Sequence, residues 1–131
     1  SPYWRSHFES RFVGDGDGGA RFAALVASIA YLVRENFNAL RGAGPIARAI
    51  VTGGLSQSNG LVQLIADLCG IPLLRPKDSE ATARGVFGLL IRARAPAPPD
   101  GESQSFEPGA TMQADAGHRR WPDAMHQALA S

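Results

Sequence analysis

Cysteine is nearly absent from this 131-residue chain, Cys69 being the only one, and that scarcity removes both an internal disulfide framework and a cysteine-based metal centre. Flanked by Leu68 and Gly70 at a predicted helix end, Cys69 reads as a small buried hydrophobe rather than a reactive thiol. Excess charge is lacking too. Thirteen basic residues stand against twelve acidic ones, which leaves no net field to draw the chain toward nucleic acid or an anionic membrane. Arg34, Glu35 and Asp67 interrupt the apolar stretches well before the ~20 residues that a bilayer span needs. No Gly-x-x-x-x-Gly-Lys-Ser/Thr loop occurs, so P-loop phosphate chemistry has no support. His7, His118 and His126 are scattered without a carboxylate or cysteine to complete a ligand set, and no metal site is expected. Nor does a charged-then-apolar leader of the secretory type stand ahead of the first structured segment. A cytoplasmic setting is the resulting expectation.

What is present is an alternation of helix and strand signals. Phe22, Leu25, Val26, Ile29, Val33, Phe37 and Leu40 recur at three- and four-residue steps, the period of a helix with one buried face over 20–40. Gly42 and Gly44-Pro45 close it. Residues 46–52 predict a short strand, apolar enough to be buried on both faces as in a parallel sheet. Leu61, Leu64, Ile65 and Leu68 mark a second helix ending at Gly70, and 71–74 a second strand that stops at Arg75-Pro76. Asp78 or Ser79 would cap a third helix, with Val86, Phe87, Leu90 and Ile91 as its inner stripe. This order predicts α/β packing with a crossover connection. A proline-rich, polar stretch over 95–103 reads as an extended surface connection. Beyond it, 113–129 reads as a terminal helix interrupted or restarted near Pro122, docking through Trp121, Met125 and Leu129.

Chemistry concentrates at Ala49-Ile50-Val51-Thr52-Gly53-Gly54-Leu55-Ser56-Gln57-Ser58-Asn59, where a β-branched run enters a double glycine and opens an amphipathic helix. Glycine has no Cβ, so a ligand can approach the backbone closely, and free amides at a helix start favour negative charge. From these residues alone, a tight strand-to-helix turn and a phosphate or nucleoside cradle both stay open. A dinucleotide fingerprint is the poorer fit: the third glycine is missing, and the acidic residue about 20 positions on is Asp78, past the second strand. Gln63 with Asp67, and Glu80 with Arg84, have four-residue spacing and read as paired side chains on helix surfaces. Asp15 and Asp17 alternate with glycines over 14–19, but the later oxygen ligands and closing glutamate of a calcium loop are absent. A surface turn is expected there.

Gly53-Gly54, Ser58-Asn59, Gln63, Ala66-Asp67, Gly70, Pro72, Arg75-Pro76 and Glu80-Ala81-Thr82-Ala83-Arg84-Gly85 follow one another in an order and spacing that resembles the C-terminal domain of FGGY-family carbohydrate kinases, glycerol-kinase-like members in particular. Ser1-Pro2-Tyr3-Trp4 matches a family segment of the form (Gly/Ala/Ser)-Pro-Tyr-Trp, and His118-Arg119-Arg120-Trp121 echoes an Arg-x-x-Trp-like ending. The resemblance covers Ser1 to about Gly85. It divides the chain into a C-terminal nucleotide-binding portion (1–94), a proline-rich connection (95–107) and a C-terminal helical segment (108–131).

The resemblance implies an α/β fold, part of a ribonuclease H-like, actin-like ATPase domain with helices flanking a short sheet and ATP in the cleft between two such domains. It implies an ATP-dependent carbohydrate or polyol kinase, with Mg2+ held mainly by parts outside this chain. Gly53 and Gly54 would lie against the nucleotide, Gly54 in direct contact. Ser58 matches the position from which relatives contact the adenine end, and Asn59 is a neighbouring polar candidate. No catalytic residue is assigned, because the family's general base and sugar-binding residues lie upstream of the matched region. The sugar or polyol partner would be bound by that N-terminal part, and the 131 residues alone would be inactive. Monomer and homo-oligomer stay open. The chain departs from the family at Ala20 and Ala27, where relatives carry a polar and an acidic residue, and over 15–19, where a Gly-Thr-type segment is replaced. Those departures motivate a second reading, a non-catalytic actin-like nucleotide-binding or assembly module.

Overall fold

The computed structural model describes residues 11–77, 81–90, 103–109 and 112–130. Asp17 ends the glycine-rich turn by accepting a hydrogen bond on Oδ1 from the Ala20 amide at 2.8 Å. This N-cap satisfies one of the free amides of the first helix. Helix α1 runs Gly18–Arg41 and turns off at Gly42, close to the bounds expected. Only part of its apolar stripe is covered: Ala30 and Phe37 are buried, whereas Phe22, Leu25, Val33 and Leu40 are exposed. Its neighbours among the described elements, the second and fourth helices, are too few to cover the rest.

Strand β1 is Ala49–Ile50, two residues rather than seven, and Ile50 is 53% exposed. The expectation of burial on both faces fails: Ala49 packs against the core, whereas no described element other than β2 contacts β1 extensively, so the Ile50 face stays open. Helix α2, Asn59–Cys69, is the centre of the core: Leu61, Val62, Ile65, Ala66, Leu68 and Cys69 are all buried. It packs on α1 and also touches both later strands of the core and the fourth helix. Gly70 ends it in the left-handed region, φ 65°, a conformation that glycine adopts without a Cβ penalty. Arg41 Nη2 donates to the Cys69 carbonyl at 3.3 Å, tying the C-terminal ends of α1 and α2 together.

Strand β2, Leu73–Pro76, pairs parallel with β1 (Ala49 opposite Leu73), so α2 is the expected crossover. Arg75 and Pro76 belong to the strand; they do not stop it. Proline is tolerated here at the strand's end, beyond the reach of β1. Helix α3 spans Ala81–Leu90. Its foreseen inner stripe is open instead, with Val86, Phe87 and Leu90 at 52, 56 and 76% exposure, since no described element packs extensively against it. Asp78, Ser79 and Ile91 lie outside the described residues, as do the Glu80 and Arg84 side chains and His7.

Strand β3, Ser103–Phe106, was not legible as a strand, yet it pairs antiparallel with β2, placing Phe106 opposite Leu73 and Gln104 opposite Arg75. Sheet order is β1-β2-β3. Helix α4, Met112–Ala130, is continuous through Pro122 and not interrupted there, so its packing overrides the missing N–H. Met125 is buried. The Tyr31 ring of α1 sits 5.6 Å from His118 and 6.1 Å from Trp121, and His118 Nε2 meets Glu35 Oε1 at 2.8 Å. A Cβ at Gly117 would collide with the Tyr31 hydroxyl, so a larger residue there would require the Tyr31 side chain to move.

Candidate functional site

The glycine doublet lies where β1 gives way to a loop. Gly53 has φ 90° and ψ 174°, a conformation open essentially to glycine alone, and it redirects the chain away from the sheet. A Cβ on Gly53 or Gly54 would meet nothing within 4 Å, and both residues are exposed. The doublet thus presents bare backbone to open space. The α-helix does not begin at the doublet, as its sequence suggested. A single 3-10 turn, Gly54–Gln57, intervenes, and Ser58 in extended conformation separates it from α2.

Two serines hold this geometry. Ser56 is buried, and its Oγ donates to the Gly53 carbonyl at 2.6 Å while its amide donates to the same oxygen at 3.1 Å. Ser58 is the N-cap of α2, its Oγ accepting from the Leu61 amide at 3.4 Å. That bond occupies one of the amides an anion would otherwise use. Asn59 opens α2, and its Oδ1 accepts from Arg75 Nη2 at 2.8 Å.

Arg75 connects all of this to the sheet. Nη1 donates to the Ser56 carbonyl at 2.6 Å, and Nη2 reaches Gln104 Oε1 at 2.5 Å as well as Asn59. Its guanidinium carbon stands 5.1 Å from the Phe106 ring centroid. Beside it, Gln57, Arg75, Pro76, Lys77, Ser103 and Gln104 line an open cleft of about 510 Å³. None of Gly53, Gly54, Ser58 and Asn59 lines that cleft. The structure therefore brings the four expected residues onto one loop and helix start, joined to the cleft through the Asn59–Arg75 bond.

Residues 1–94 match the model of the FGGY family of carbohydrate kinases, C-terminal domain. The chain belongs to that family. A glycerol kinase from Acaryochloris marina is 32% identical over 98% of this FGGY chain and 28% of its own length. One from Aromatoleum aromaticum is 38% identical over 68% of the chain and 19% of its own length. A solved structure described as a xyloylose kinase from Brucella ovis has the same fold, with a TM-score of 0.66 at 24% identity over 90% of this chain and 26% of its own. The FGGY chain thus spans less than a third of the length of the curated relatives it matches.

Gln63 and Asp67 have structural partners. Gln63 Nε2 donates to Asp67 Oδ1 at 2.8 Å, the four-residue pair expected, and also to the Glu107 carbonyl at 2.7 Å. Asp67 Oδ1 further accepts from the Gly109 amide at 2.7 Å. The pair clasps the segment after β3 rather than facing a ligand. Burial pushes the Cys69 thiol above its ordinary value of 9.0, against the opposing influence of Arg34 and Arg41, in keeping with a packing role. No three His, Cys, Asp or Glu residues stand together as a metal ligand set among the described residues. Likewise, no helix there is long and apolar enough to cross a membrane.

Sequence reasoning missed Ser56, Arg75 and Gln104. Arg75 carried a usable signal, since it stands in the Arg75-Pro76 segment of the family resemblance. Gln104 had none, because nothing in its polar, exposed surroundings marks a strand partner.

Proposed function

We propose that this chain is the nucleotide-facing part of an ATP-dependent carbohydrate or polyol kinase, in which the γ-phosphoryl group passes from ATP to an acceptor hydroxyl. The observation that carries this reading is the bare, outward-facing backbone of Gly53 and Gly54, held open by Ser56 and Arg75. A nucleotide fits such a surface because a flat base or a phosphate can approach to contact distance with no side chain in the way. The names of the relatives and the family match support the reaction class. Mg2+ would neutralise charge on the phosphates during transfer, held mainly by parts outside this chain.

Gly54 is the residue in direct contact, with Gly53 shaping the turn and Ser58 and Asn59 flanking it. No general base is assigned to this chain. Half a cleft binds weakly: millimolar affinity already requires about 4 kcal/mol, and one exposed helix terminus supplies roughly 0.3–1 kcal/mol. The open apolar surface of α3, with Phe87 and Leu89 at 56 and 80% exposure, fits a segment that works packed against further polypeptide.

The test has two arms. Titrating ATP into the isotope-labelled chain is expected to shift the Gly53, Gly54, Ser58 and Asn59 amide resonances with a millimolar midpoint. The full-length polypeptide carrying these residues is expected to phosphorylate a member of a panel of polyols and sugars. Unmoved doublet resonances would overturn the site. Resonances that move, with no turnover by the full-length polypeptide, would overturn the kinase in favour of the assembly-module reading suggested by Ala20 and Ala27.

A further inference from the structure

We infer that Arg75 is a positioning residue for the glycine doublet: one guanidinium sets the shape of the nucleotide-facing turn without itself touching the nucleotide. The inference rests on the kinase reading above and goes beyond it by naming the residue that holds the site in register with the sheet.

The geometry is that of a strut. The 3-10 turn Gly54–Gln57 has few contacts of its own, with Leu55 63% exposed and open space over both glycines. Two hydrogen bonds from Arg75 tie it to the sheet. Nη1 takes the Ser56 carbonyl inside the turn, while Nη2 takes Asn59 Oδ1 just beyond it. Ser56 in turn holds the Gly53 carbonyl through its hydroxyl and its amide. A continuous chain of hydrogen bonds therefore runs from Arg75 to the backbone of the doublet.

Arg75 is itself anchored. It belongs to β2, the central strand, and the bond to Gln104 and the stacking on Phe106 hold the guanidinium from the β3 side. The planar fork allows one side chain to serve a carbonyl, an amide oxygen and a second amide oxygen at once. Lysine cannot reproduce this, because its ammonium is a single point of donation on a flexible stem. Asn59 changes meaning accordingly: its side-chain oxygen is committed to Arg75, leaving its NH2 as the group able to meet a ligand.

The test compares wild type, Arg75→Lys and Arg75→Ala in the full-length polypeptide, with KM for ATP and kcat measured separately. Losing charge-assisted bonds to the turn is expected to raise KM for ATP about tenfold in both variants, with kcat changed far less and KM for the acceptor unchanged. Adding ethylguanidine to Arg75→Ala is expected to restore KM for ATP, and ethylamine to leave it raised. Circular dichroism identifies a variant that fails to fold. In that event Arg75→Lys, which keeps the charge and stem, decides the matter in the isotope-labelled chain through its ATP midpoint at the Gly53 and Gly54 resonances. An ATP KM or midpoint equal to wild type in Arg75→Lys would overturn the strut, as would equal loss of kcat and acceptor KM. Wild-type doublet resonances that ignore ATP would instead overturn the nucleotide site on which the strut depends.

Discussion

Replacing each glycine of the doublet by alanine separates backbone strain from ligand approach. At Gly53 the chain adopts φ 90° and ψ 174°, where a residue with a Cβ costs about 1–3 kcal/mol. The added methyl meets no neighbour within 4 Å, so the whole cost is conformational. Relaxing the peptide would shift the Gly53 carbonyl away from the Ser56 hydroxyl and amide, each bond being worth roughly 1 kcal/mol. Neither route is free, and the expected loss stays at about 1–3 kcal/mol. At a chain length between small and medium domains, 1 kcal/mol corresponds to about 4 °C in Tm. Gly53→Ala should therefore melt ~4–12 °C below wild type.

Gly54 is the contrast. It lies in the 3-10 turn, is not among the positive-φ glycines and has open space above it. Alanine there should be neutral or stabilise by about 0.4–1 kcal/mol, by restricting the unfolded chain. Yet its methyl fills the space that a nucleotide would use, so ATP should no longer shift the neighbouring resonances. Thermal melts followed by circular dichroism, paired with the ATP titration, read both effects. Gly53→Ala melting with wild type, or Gly54→Ala falling as far as Gly53→Ala, would refute the conformational argument. Gly54→Ala that keeps the wild-type ATP response would refute direct contact.

Asp67→Ala removes the acceptor shared by Gln63 and the Gly109 amide and should cost about 1–2 kcal/mol in urea denaturation, with amide exchange quickening over 103–109 more than in α1. Cys69, 2% exposed, should resist iodoacetamide in the native protein and react promptly once urea unfolds it. Because burial raises its pKa above 9.0, both states keep the proton below that value. At higher pH the unfolded chain releases it first, and stability should fall as pH climbs. An alkaline fall in stability that is the same in Cys69→Ala as in wild type would contradict the assignment.

The local rules written into the sequence settled a definite part of this protein. Apolar spacing fixed α1 and α2, Ser58 and Gly70 fixed the ends of α2, and Gln63 and Asp67 found each other because four residues along a helix is one step up its face. The glycine pair announced a special turn, since only glycine fits the backbone that Gly53 adopts. Tertiary structure decided the remainder. A strand is defined by its partner, so β1 shrank to the two residues that pair with β2 among the described strands, and β3 arose in a polar segment because β2 offered an edge. The exposure of Val86, Phe87 and Leu90 on α3 follows from what stands opposite, which periodicity does not encode. Arg75 became the hub of the site for the same reason: its partners Ser56, Asn59 and Gln104 are 16 to 29 residues away, and no local pattern joins residues that only folding brings together.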